Sequence, residues 1–225
     1  MPGSPPDIHV VDDPQLVVGE LIAEQARHGG SIVLTGGSGV ARAYGRAADL
    51  APDWSGVTVW WGDERCVPPD DDLSNYKLAK ESLLDKLATP PGEVHRIRGE
   101  LDPTAAADEL DAALDGATLD FLLLGIGPDG HCASLFPGSP QLDVDDRRAV
   151  HGPAGLEPWV ERVTMTMPTL QSAHRIVFIA AGEKKADAIK GAFGGEVSRD
   201  VPSSLLRNAA APVEVYLDAE AAAKL

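Results

Sequence analysis

The stretch IVLTGGSGVARAYGRAADL, residues 32–50, decides how the rest of the chain is read. A short, unbroken apolar run ends at Gly36 and Gly37, and a helix-like segment follows from residue 39 to residue 50. An apolar run this short, bounded by turn residues, reads as a strand covered on both faces. The same signature recurs as VTVWWGD at 57–63, FLLLGIG at 121–127, IVFIAAG at 176–182 and VEVYLD at 213–218. Helix-like stretches lie between: one in which Leu16, Val17, Leu21 and Ile22 share a face, then 73–88, 104–115, 183–193 and final turns from 218. Such alternation predicts an α/β fold: a mostly parallel sheet with right-handed crossovers and helices on both faces, three-layered and Rossmann-like. No repeat or low-complexity linker divides residues 1–225, so a single domain is expected. The longest stretch without a period is 137–160, and VPPDDD at 67–72 is a second loop.

Composition narrows the function classes. A chain of 225 residues buries about 70% of its unfolded surface and needs neither disulfides nor a structural metal to fold. The two cysteines, Cys66 and Cys132, have no metal-type spacing and are expected as buried free thiols. No run approaches the length of a membrane helix, and the N-terminus lacks a basic segment followed by an apolar one, so a cytoplasmic protein is expected. Lys and Arg number 19 against 35 Asp and Glu, for a net charge of −16. Nucleic acid and anionic membrane surfaces are poor partners for that field. A small anionic substrate needs a few cations gathered locally against it.

In open α/β sheets, ligands sit beyond the carboxyl ends of the strands. After the first long strand, Gly36, Gly37 and Ser38 open a helix, which makes an anion cradle from backbone N–H groups and the helix dipole. After VTVWWG come Asp63, Glu64 and Arg65. An arginine here can clamp a phosphate or polarise a carbonyl, with its acidic neighbours holding the planar fork. After FLLLGIG comes the turn Gly-Pro-Asp129-Gly-His131. It formally contains G-x-G-x-x-G, but Pro137 arrives seven residues after Gly130 and leaves no room for the helix of a dinucleotide site. What the turn does supply is an imidazole that titrates near neutrality and a carboxylate spaced to orient it. Arg162 opens RVTMTMP, and Lys184 and Lys185 start the helix after IVFIAAG. Lysines at a helix N-terminus oppose the dipole, and a bound anion would offset that cost.

Five blocks spread along nearly the whole chain resemble the 6-phosphogluconolactonases, within the wider sugar-phosphate isomerase and deaminase fold group. They are the Gly-Gly-Ser turn, DERCVP with SNY at 74–76, GIGPDGHCASLFPG, RVTMTMPTLQSA and GEKKADAI. The fourteen-residue block around His131 is the most specific. The chain departs from the pattern at Gly39 and Val40, which replace the usual Thr-Pro; a threonine hydroxyl is lost there and the backbone cradle is kept.

The resemblance implies hydrolysis of 6-phospho-D-glucono-1,5-lactone to 6-phosphogluconate in the pentose phosphate pathway, without a cofactor or metal. His131 would be the general base acting on water, Asp129 would orient it, and Arg65 would stabilise the oxyanion or hold the substrate. Gly36, Gly37, Ser38, Asp63, Arg162 and Lys185 would face the phosphate or the sugar hydroxyls. The only partner implied is the phosphorylated lactone, with the chain a monomer or weak homo-oligomer. No G-x-S-x-G follows a strand, so a serine nucleophile elbow is not expected. An aminosugar-phosphate deaminase would need an acid where Phe136 stands, and an aromatic ring cannot transfer a proton. A non-catalytic sugar-phosphate sensor would need the cradle but not Asp129, His131 and Arg65 together.

Overall fold

The computed structural model describes residues 5–37 and 39–225. In chain order the elements are β1 (Asp7–Val10), α1 (Pro14–His28), β2 (Gly30–Leu34), α2 (Ala41–Leu50), β3 (Val57–Trp61), β4 (Asp63–Arg65), α3 (Asn75–Ser82) and β5 (Glu93–His95). There follow α4 (Pro103–Ala113), β6 (Phe121–Leu124), β7 (Ala149–Gly152), β8 (Arg162–Met165), α5 (Met167–Gln171), β9 (Ile176–Ala180), α6 (Ala186–Ile189) and β10 (Val213–Leu217).

Helix starts follow from local chemistry. Asp13 caps α1 by accepting from the N–H groups of Gln15 and Leu16, and Pro14 fills the first helical position, where no donor is needed. Asp102 and Pro103 do the same for α4, and Ser74 accepts from Lys77 N at the start of α3. Strands β6 and β9 are buried at every residue, and β2 at all but its first, which places cover on both faces.

Seven strands form one parallel sheet in the order β1-β10-β9-β6-β2-β3-β5. A second, antiparallel sheet has the order β4-β8-β7. Trp54, Trp61, Tyr44, Phe121 and Phe178 are the largest side chains fully enclosed in the core. Each contributes on the order of 1.5–3 kcal/mol through removal of its surface from water. Among the described residues, no helix is long and apolar enough to cross a membrane.

The structure corrects the sequence reading in four places. The run 57–63 is not one strand: it breaks at Gly62, and Asp63 begins β4 in the other sheet. Residues 137–160 are not wholly irregular, because a 3₁₀ turn spans Pro140–Asp143 and β7 pairs with β8. The segment after IVFIAAG is a 3₁₀ turn (Glu183–Lys185), then α6, then a π-helical turn (Lys190–Gly194). The last residues, from 218, form hydrogen-bonded turns and no helix.

Candidate active site

From β2 the main sheet runs outward through β3 to β5, and from β6 it runs the other way through β9 to β10. The order reverses between the neighbours β2 and β6, which is where an open α/β sheet leaves a crevice. A cavity of about 570 Å³ opens at this point. Thr35, Gly36 and Gly37 after β2 line it, as do Gly125, Ile126 and Gly127 after β6. Of the residues singled out from sequence, Asp63, Arg65, His131, Arg162 and Lys185 also reach its wall. Asp129 stands behind His131, and Ser38 lies outside the described residues.

His131 and Asp129 form a pair. The imidazole Nδ1 lies 2.6 Å from Asp129 Oδ1, and His131 N donates to the same oxygen at 3.2 Å. With Nδ1–H donating to a carboxylate, Nε2 carries the free lone pair. Partial burial of Asp129 works to raise its carboxyl, but the hydrogen bonds and charge of His131 prevail and hold it below the usual aspartate value. The ring of Phe136 packs on the imidazole at 4.5 Å between centroids. Gly130, at φ 82°, makes the turn, and its carbonyl accepts from Ser203 N at 2.9 Å and Ser203 Oγ at 2.8 Å. No helix follows Gly130, in keeping with rejection of a dinucleotide site.

Three cations face an otherwise acidic molecule's cavity. Lys185 Nζ donates to Ile126 O at 2.6 Å. Burial draws its ammonium below the usual lysine value, with the Asp129 charge in partial opposition. Lys184, by contrast, is exposed and off the cavity wall. Arg65 Nη1 donates to Leu73 O at 2.6 Å, and Arg162 Nη2 donates to Pro158 O at 2.9 Å. Arg65 and Arg162 sit directly opposite one another across β4 and β8. Each keeps a buried Nε without a partner among the described residues. Burial, and then the Arg65 charge, lowers the pKa of Arg162. Like charges placed opposite in a sheet are unfavourable, and an anion between them removes the penalty.

The acids beside Arg65 do not hold its fork, contrary to the expectation from sequence. Glu64 turns inward and accepts from Arg65 N at 2.7 Å, Ser74 Oγ at 3.0 Å, Asn75 N at 2.8 Å and Tyr76 N at 2.8 Å. Burial pushes its carboxyl up against the pull of these donors. It thereby seats the first turn of α3 on β4. Asp63, also buried, accepts from Ser134 Oγ at 2.6 Å and from Asn75 Nδ2 at 3.2 Å. Gly36 makes room for this group, since a Cβ there would overlap the Asn75 amide. Gly37, at φ 99°, carries the turn toward α2, whose N-cap Val40 offers no side-chain hydrogen bond. Among the described residues, no side chain caps the leading N–H groups of α2.

Asn75, Ser134, Phe136 and Trp159 line the cavity without having been assigned a role there from sequence. The first three sit in the motif blocks, so their position was visible while their direction was not. The thiols are inert: burial pushes Cys66 up to about 11 and Cys132 up to about 12. Cys66 is only half-buried, whereas Cys132 is enclosed. No three His, Cys, Asp or Glu side chains gather as a metal set among the described residues.

Residues 15–215 match the family described as glucosamine-6-phosphate isomerases/6-phosphogluconolactonase. The chain is 37% identical over 224 residues to a Mycobacterium leprae protein named 6-phosphogluconolactonase, covering 90% of this chain and 88% of that one. It superposes on the 6-phosphogluconolactonase of Trypanosoma brucei with a TM-score of 0.85 at 26% identity, over 98% of both chains. A monomeric glucosamine-6-phosphate deaminase gives a TM-score of 0.87 at 21% identity, over 97% of this chain and 100% of that one, which is a likeness of fold alone. By sequence and architecture the chain belongs to the glucosamine-6-phosphate isomerase/6-phosphogluconolactonase family.

Proposed function

We propose that residues 1–225 act as one catalytic domain that hydrolyses 6-phospho-D-glucono-1,5-lactone to 6-phospho-D-gluconate, in the oxidative branch of the pentose phosphate pathway. The observation that carries this reading is the His131–Asp129 pair on the wall of a cavity that also holds Arg65, Arg162 and Lys185.

His131 Nε2 takes a proton from water as the water oxygen bonds to the lactone carbonyl carbon. The carbonyl electron pair moves onto its oxygen, where the Arg65 guanidinium stabilises it. Collapse of this intermediate breaks the bond to the ring oxygen, which receives the proton from the imidazolium. The acid product then ionises. A positioned base contributes about 10²–10⁴-fold and an oxyanion partner about 10²–10³-fold, which suffices for an activated ester without a covalent intermediate. Arg162, Lys185 and the backbone at Gly36 and Gly37 hold the phosphate. Asp63 keeps lone pairs beyond its bonds to Ser134 and Asn75 for a sugar hydroxyl. All these groups come from one chain, so a single copy in the cytoplasm would be competent.

The deaminase alternative is weaker on two counts. By the resemblance, Phe136 stands where the deaminases carry the acid that ring opening needs, and the relatives at 34–37% identity are named 6-phosphogluconolactonase. The test is hydrolysis of freshly generated lactone, corrected for the spontaneous rate. Acceleration that drops at least about 10²-fold in His131→Ala is the expected result. A wild-type rate equal to buffer, or ammonia release from glucosamine 6-phosphate, would overturn the reading.

A further inference from the structure

Of the chain's four tryptophans, Trp54, Trp60 and Trp61 are buried, whereas Trp159 is 68% exposed. This exposed indole lies at the cavity. Ligand pockets are lined largely by apolar and aromatic side chains, and the place of this indole on a concave wall, rather than its exposure, marks it for a ligand.

The segment that carries it is tied to the cavity wall on both sides. Arg162 Nη2 and Val160 N both donate to Pro158 O, at 2.9 and 2.8 Å. On the other side Gly155 packs so closely on Phe136 that a Cβ would lie 2.6 Å from the ring. Phe136 in turn packs on His131. The backbone on either side of Trp159 is therefore anchored, to Arg162 through Pro158 and against Phe136 through Gly155.

From this placement we infer that Trp159 is a substrate-binding and specificity residue whose indole covers the C–H face of the six-membered lactone ring. The inference rests on the lactonase reading above. The cations and buried acids of the cavity address the polar edge of such a ring, its phosphate, hydroxyls and carbonyl. The faces of the ring are apolar C–H surfaces, which a flat, electron-rich indole complements. The open-chain product has no such face, so this contact favours the cyclic substrate over the acid it becomes.

Two measurements test this. Glucose 6-phosphate is a stable pyranose with the same phosphate and no lactone carbonyl. Saturating glucose 6-phosphate should shift the long-wavelength tryptophan emission of the wild-type protein, and the shift should vanish in Trp159→Phe. Inorganic phosphate should leave the emission unmoved. On fresh lactone, Trp159→Ala should raise KM about tenfold with kcat retained, and Trp159→Phe should recover most of that loss. An unchanged KM in Trp159→Ala overturns the inference whatever the emission does, as does an emission shift that survives in Trp159→Phe. A wild-type chain that does not hydrolyse the lactone defeats the underlying reading instead, so the two failures are distinguishable.

Discussion

Gly127 leaves no space for a side chain beside His131: a Cβ built there would overlap the imidazole Nδ1 and come within 2.6 Å of Asp129 Oδ1. The His131–Asp129 pair is thus assembled against bare backbone. Gly127→Ala should lower kcat at least about 10²-fold by displacing the ring, an effect comparable to loss of the base itself. Thermal melting beside lactone kinetics will separate this from unfolding; a variant that melts with the wild type and keeps full turnover would refute it.

Asp129 decides which imidazole nitrogen is free. An asparagine amide at that place can donate to Nδ1, forcing the proton onto Nε2, so Asp129→Asn should cost about 10²–10⁴ in kcat. The carboxyl of Asp129 is held below its usual value. A depressed carboxylate contributes stability that is present above its unfolded pKa and lost as pH falls through the folded one. The wild type should therefore be more stable than Asp129→Asn near neutrality, and the gap should close in acid when melting is followed against pH.

Lys185 carries the opposite sign. Burial lowers its pKa, so its charge costs stability at neutral pH, and that cost is relieved as pH rises through the lowered value. Lys185→Met should match or exceed the wild-type melting temperature while binding glucose 6-phosphate about tenfold or more weakly. Calorimetric affinity of the wild type should fall with rising pH earlier than an ordinary lysine would allow. A flat profile would place the phosphate elsewhere.

Glu64 is buried and accepts from four donors, three of which (Ser74 Oγ, Asn75 N and Tyr76 N) seat α3 on β4. Glu64→Ala should destabilise the protein by about 3 kcal/mol, because those donors lose their acceptor in a closed site. Urea unfolding reads this directly as a lower midpoint.

The strands β2, β6, β9 and β10 were legible because each is a short apolar run ended by a turn. Strands β1 and β5 escaped notice: both are short, lie at the sheet edges and are half polar. The break at Gly62 was hidden for a different reason. Gly62 N donates to Leu34 O while its carbonyl accepts from Met165 N, a partner about a hundred residues away that no local pattern encodes. The site followed the same division. His131 and Lys185 follow the ends of β6 and β9, and Arg65 follows the end of β3 as the last residue of β4, where the fold class alone directs attention. Asn75, Ser134 and Trp159 depend on side-chain direction, and that is settled only when the small sheet docks beside the large one.

The opposed guanidinium groups of Arg65 and Arg162 give the small sheet a built-in dependence on its surroundings. With no substrate bound, β4 and β8 are held together against mutual repulsion; on the proposed reading, a substrate with its phosphate on Arg162 and its carbonyl oxygen toward Arg65 would relieve that repulsion. By mass action a ligand at a hundred times its Kd adds about 2.7 kcal/mol to the folded state. The protein should therefore be most resistant to heat and proteolysis in cells rich in sugar phosphates, and its abundance should track the supply of what it consumes.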